Sequence, residues 1–169
     1  MNIIDFAIQM ELDGMTFYEK SAQQTDQPEL AKVLRILADE EKRHYNVFKR
    51  MKGASSEEAR REYESSSPGL SATRNIFHDL VEQRKYSSMG SGAREIWTTA
   101  LKLEEQSEKL YREESAKETD ATRKFLLDKI ADEERNHIYL VDNMLSFMAD
   151  PQGFSDSADF KNFKSWEGK

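Results

Sequence analysis

Apolar residues recur at helical spacing in four long stretches of this chain. The first, from about Asn2 to Thr25, places Ile4, Ile8, Glu11, Met15, Tyr18 and Ala22 on one face. Asp26 is expected to cap the second helix, with Pro28 in the first turn and Glu29 at the capping-box position. That helix runs to about Lys52, presents Leu30, Leu34, Leu37, Glu41, His44, Phe48 and Met51, and stops at Gly53. The third, capped by Ser91 and running to about Thr119, shows Ile96, Ala100, Glu104, Ser107 and Tyr111 on one face. The fourth, from about Thr122 to Ala149, shows Leu127, Ile130, Glu134, His137, Val141 and Met144, and Asp150-Pro151 ends it.

Two helical hairpins are thus joined by a connection at about 54–91. It contains a break at Ser65–Gly69 and a shorter amphipathic helix from Ser71 to Tyr86, with Ile76, Phe77, Leu80 and Val81. A connection of that length can run the height of a bundle and start the third helix at the far end. The expected fold is all-α: a ferritin-like four-helix bundle over 1–150 with one long crossover. The remainder, 151–169, is a polar tail with Phe154, Phe160, Phe163 and Trp166. That many aromatic residues predict packing on the bundle or on a second subunit.

Composition narrows the chemistry. The 169 residues contain no cysteine, which excludes disulfides, thiolate zinc sites, iron–sulfur clusters and thiol nucleophiles. Any metal must be held by oxygen and imidazole nitrogen. The net charge of −7 is spread among interleaved acids and bases, with no basic stripe to neutralise phosphates, so nucleic acid is not an expected partner. No apolar run reaches the ~20 residues needed to span a bilayer. The N-terminal stretch lacks the positive region of a cleaved signal, and a cytoplasmic location is expected.

The hairpins are copies. A shift of 93 positions carries Glu11 to Glu104, Glu41 to Glu134 and His44 to His137 without a gap. It also carries Ala7 to Ala100, Tyr18 to Tyr111, Leu34 to Leu127, and Ala38-Asp39-Glu40-Glu41 to Ala131-Asp132-Glu133-Glu134. A structural duplication needs only to keep its apolar spacing, yet this one keeps polar residues on the apolar face. Glu41 and His44 are neighbours on the face that carries Leu34, Leu37, Phe48 and Met51, so they point into the core. Four carboxylates facing one another there would each cost several kcal/mol, ~3 or more, in desolvation before any repulsion. Two divalent cations, or two ferric ions with an oxo bridge, cancel that charge.

One Glu from each of two helices and a Glu-x-x-His from each of the other two make the recurring di-metal set of such bundles. Here Glu41 and Glu134 can bridge two metals, while Glu11, Glu104, His44 and His137 each cap one. Of the chain's three histidines, only His78 falls outside this pattern, and it reads as a surface residue. Glu40 and Glu133 are either surface acids or acceptors for the second ring nitrogen of the opposite hairpin's histidine. Asp39 and Asp132 read as surface. Tyr18 and Tyr111 either fill core space or donate to metal-bound carboxylates. Met10, Met15, Met51, Met144 and Met148 read as core filler.

Through Ala7-x-x-x-Glu11 with Tyr18, Glu41-x-x-His44, Ala100-x-x-x-Glu104 and Glu134-x-x-His137, the chain resembles the rubrerythrin branch of the ferritin-like di-iron proteins over residues 2–149. The resemblance implies a non-haem di-iron centre that reacts with hydrogen peroxide or dioxygen in oxidative-stress defence. It further implies an oxidoreductase supplied with electrons by a rubredoxin or flavoprotein. The chain departs from the pattern twice. It lacks the four cysteines of a rubredoxin-type domain, so electrons must come from elsewhere. Where the family has an additional glutamate three residues after the third-helix ligand, this chain has Ser107, whose first-helix counterpart is Gly14. Glu105 and Glu108 point elsewhere, and the loss leaves space beside the metals for a small ligand. The expected cofactor is two metal ions, iron first, with manganese or zinc also compatible with these ligands. The rival reading is iron or manganese sequestration without peroxidase turnover. A homodimer is the expected assembly.

Overall fold

The computed structural model describes residues 2–73, Ile76 and 91–156. Among them the helices are α1 (Ile3–Gln24), α2 (Pro28–Gly53), α3 (Ser56–Ser65), α4 (Ser91–Lys117), α5 (Ala121–Ala149) and α6 (Pro151–Asp156), and there is no strand. Helices α1 and α2 pack as one hairpin and α4 and α5 as the other, while α3 lies against α2 and α5. The all-α, four-helix expectation holds.

Local chemistry explains the helix ends. Asn2 caps α1 by accepting from the Ile4 amide at 3.1 Å. Asp120 caps α5, accepting from the Thr122 and Arg123 amides at 2.9 Å each. The cap expected at Asp26 moves by one residue: Gln27 is the extended residue before α2, and Pro28 opens the helix without a side-chain cap. Proline disfavours helical backbone in the residue before it, so the helix can begin no earlier than Pro28. Ser91 is already the first residue of α4 rather than its cap.

The connection holds a helix that periodicity did not suggest. Ser55 accepts from the Glu58 amide at 3.2 Å while the Glu58 carboxylate accepts from the Ser55 amide at 2.9 Å, a complete capping box that starts α3. Beyond it, Leu70 and Thr73 are buried and residues 71–73 are helical. Most of the helix expected over 71–86, and His78 with it, lies outside the described residues.

The interior has three levels. One apolar cluster gathers Ala22, Leu30, Leu34, Leu37, Trp97, Ala100, Leu140, Met144 and Phe147. A second gathers Ile4, Ala7, Val47, Phe48, Met51, Leu126, Leu127 and Ile130. Along every long helix, the sequence positions between these clusters carry Glu11, Glu41 and His44, Glu104, or Glu134 and His137. Phe154 of α6 closes the first end, edge-on to Phe147 with ring centroids 5.8 Å apart. Phe160, Phe163 and Trp166 lie outside the described residues.

Candidate metal centre

All six of the chain's predicted ligands converge and all are buried, with Glu11, His44, Glu134 and His137 fully so. Their donor atoms form two overlapping groups. Glu11, Glu41, His44 and Glu134 make one, and Glu41, Glu104, Glu134 and His137 the other, each with all its donors within 4.8 Å of one another. Glu41 and Glu134 belong to both. Each helix supplies its residue because one turn of α2 or α5 sets the glutamate and the histidine three positions on side by side.

The imidazoles face inward through Nδ1. His44 Nδ1 lies 3.0 Å from Glu134 Oε1 and 3.6 Å from Glu11 Oε2. His137 Nδ1 lies 3.2 Å from Glu104 Oε2, 3.2 Å from Glu134 Oε2 and 3.3 Å from Glu41 Oε1. Neighbouring ligands of one ion with bonds of ~2.1 Å sit about 3 Å apart when the bonds are near right angles. Glu11 Oε2, Glu41 Oε1, both Glu134 oxygens and His44 Nδ1 are buried without a hydrogen bond. Buried carboxylate oxygens without donors are costly, and a cation is the partner this donor set suits. The residues therefore fit a pair of metal ions.

Electrostatics say the same. Burial pushes the Glu41 carboxyl well above the carboxylate range, and repulsion from Glu104, Glu134 and Glu11 adds to it. Burial and Glu11 hold Glu134 at about 7, against the opposing pull of His44 and His137. Burial pushes Glu104 up too, but the charge of His137 and its hydrogen bonds bring it below its ordinary value. Burial depresses His44 and His137, yet the carboxylates around them, Glu134 and Glu104 foremost, hold both well above the ordinary imidazole value. Without metal, protons supply the positive charge that this interior requires.

The surrounding layer crosses between hairpins. The outer nitrogen of His44, Nε2, lies 2.8 Å from Glu133 Oε2, and His137 Nε2 lies 3.9 Å from Glu40 Oε2. Tyr18 of α1 donates to Glu104 of α4, and Tyr111 of α4 to Glu11 of α1. For Glu133 and both tyrosines, the structure thus has the contacting arrangement rather than the surface or space-filling one. Glu40 is buried and faces His137, but at a separation beyond hydrogen-bond range, and His137 Nε2 has no hydrogen-bond partner. Asp39 and Asp132 are exposed.

Sequence reasoning missed Arg43, Tyr63 and Gly69. Arg43, buried, forms an ion pair with Glu133 and lies 3.4 Å from Glu40 Oε2. Tyr63 of α3 donates to Glu133 Oε1 at 2.7 Å, and the Gly69 amide donates to Glu40 Oε1 at 2.6 Å. Burial pushes Glu40 up, but His137, the Gly69 amide and Arg43 together bring it down to about 2. The Glu40, His44 and Glu133 donors also converge, but Arg43 already supplies their countercharge. The available signal was an arginine directly before His44 and three residues after Glu40, on the buried side of α2.

Gly14 and Ser107, at the departures from the family pattern, are both buried. Glu108 turns away to Arg135 at 2.7 Å, and Glu105 is exposed. A cavity of about 390 Å³ between α1 and α4 reaches Glu41, Glu104 and Tyr18 beside these two small residues. Met10 lines it rather than filling the core, whereas Met51 and Met144 are fully buried as expected.

The rubrerythrin family model matches residues 2–145. The chain matches no curated protein and no solved structure at a significant level.

Proposed function

The chain belongs to the rubrerythrin family, and from that premise we propose that it is a di-iron oxidoreductase that reduces hydrogen peroxide or dioxygen. The observation that carries the reading is the pair of four-residue donor groups sharing Glu41 and Glu134. Glu11 and His44 would complete one iron site, Glu104 and His137 the other. Two reduced iron ions, held by these residues, would supply one electron each and Lewis acidity. Zinc lacks the first of these properties, and iron is chosen over manganese on the family membership.

The protein's own residues orient and exclude. Glu133 holds His44 by its outer nitrogen, fixing which ring nitrogen faces the metals, and Glu40 stands behind His137 as its nearest carboxylate on that side. Tyr18 and Tyr111 each occupy one oxygen of a capping carboxylate and leave the other for a metal. The apolar clusters at both ends keep bulk water from the centre. Electrons would come from an external donor such as a rubredoxin or flavoprotein. Among the described residues, no helix is long and apolar enough to cross a membrane.

The cavity beside Gly14 and Ser107 favours turnover over sequestration or a purely structural ion, because it gives a small oxidant a way to the centre. Rapid mixing of the diferrous protein with hydrogen peroxide tests the reading. Oxidation much faster than that of free ferrous ion is expected, and oxidation no faster would refute it.

A further inference from the structure

The cavity between α1 and α4 is larger and more apolar than hydrogen peroxide requires. Its floor is polar and buried: Glu41, Glu104 and Tyr18. Its walls are Phe6, Met10, Leu103 and Leu110. A cavity of ~150 Å³ holds benzene, and a water takes ~30 Å³ of liquid. On that scale about 390 Å³ admits a molecule larger than benzene, and hydrogen peroxide would leave the apolar walls uncovered.

The repeat explains why the space exists. The 93-residue shift relates Met10 to Leu103 and Gly14 to Ser107, so the cavity is walled by equivalent turns of the two hairpins. Neither turn fills it. A Cβ on Gly14 would lie 2.8 Å from Glu41 Oε2, so only glycine lets that carboxylate rest against α1 beside the opening. Ser107 is too short to reach across. The charge pattern selects the occupant further. With the floor carboxylates neutralised by the metals they hold, Asp13 and Glu113 at the mouth still outweigh the single Lys109. An anionic head group is therefore disfavoured and a neutral one accepted.

We propose that this cavity binds a neutral amphipathic organic hydroperoxide, its apolar part against Met10, Leu103 and Leu110 and its peroxide end at Glu41, Glu104 and Tyr18. This rests on the peroxide-reducing reading and names its substrate class. In the reaction the O–O bond breaks. Two electrons, one from each reduced iron, and two protons convert the hydroperoxide into an alcohol and water, and both irons are oxidised by one electron.

The test is binding to the full chain loaded with zinc, which cannot turn over. Cumyl alcohol, the reduction product of cumene hydroperoxide, is titrated while methionine methyl signals are followed by NMR. A saturable shift at Met10 with Met51 and Met144 unmoved is expected. Ser107→Leu, which fills the cavity, and Gln106→Trp, at its exposed mouth, should each weaken binding about tenfold or more at unchanged zinc content. The absence of saturable binding, or unchanged affinity in both variants, overturns the proposal. So does a Met10 signal that responds to protein concentration but not to the alcohol, which would mean that a second copy covers the opening. A diferrous protein that hydrogen peroxide oxidises but that binds no cumyl alcohol sinks this inference alone. One that neither peroxide oxidises sinks the function beneath it.

Discussion

Shared and unshared ligands differ in what their loss removes. Glu134 stands in both donor groups, whereas Glu11 stands in one. Glu134→Ala should therefore abolish loading at both positions, while Glu11→Ala should leave about one ion per chain. Metal analysis of the two purified variants checks this, and equal loss in both would show that the donor groups do not work as two sites. The six ligands were legible in sequence because duplication wrote them twice at one spacing, on faces where burial made anions untenable. Arg43 and Tyr63 were not, because neither is repeated: the shift carries Arg43 to Asn136, and Tyr63, in the connection, to Asp156. A residue that serves one half of a pseudo-symmetric site leaves no trace in the repeat. The direction in which each tyrosine reaches was hidden as well, since contacts across α1 and α4 depend on how the hairpins pack.

Among the elements, the four long helices followed from periodicity and α3 did not. Helix α3 buries only Ala59 among its residues, so it shows no apolar stripe; its signal was Ser55 with Glu58 three residues later. That short helix matters because Tyr63 rides on it to Glu133. Ser55→Ala removes the cap at a cost of about 1 kcal/mol. Amide exchange should speed up in α3, with little change in α4 and α5. Equal destabilisation of all helices would contradict so local a role. Helix α6 was not expected, but the packing of its Phe154 on the bundle was. Phe154 seals one end of the core, and Phe154→Ala should cost about 3 kcal/mol in a denaturant titration. A cost near zero would place the end of the core elsewhere.

At the scale of the whole molecule, two apolar ends enclose a layer of acids and imidazoles, and stability should depend on what neutralises that layer. In the metal-free protein Glu134 sits at about 7, raised from 4.5, and Glu41, His44 and His137 are raised as well. Groups raised on folding contribute stability below their unfolded values and lose it as pH climbs through the folded ones. Glu40, Glu104 and Glu133 are lowered and act oppositely, losing their contribution as pH falls through their folded values, for Glu40 about 2. The metal-free chain should therefore be most stable in mild acid and weaken toward neutrality. Metal displaces the protons, so the melting-temperature gap between loaded and chelator-treated protein should widen from about pH 5 to about pH 8. A gap that stayed constant or narrowed would contradict this.

The most direct measurement is anomalous diffraction from crystals of the metal-loaded protein. Two peaks about 3.5–4 Å apart are expected between Glu11, Glu41, His44, Glu104, Glu134 and His137, with Glu41 and Glu134 touching both. Loaded crystals with no peak there, or with the six side chains turned to solvent, would contradict the account.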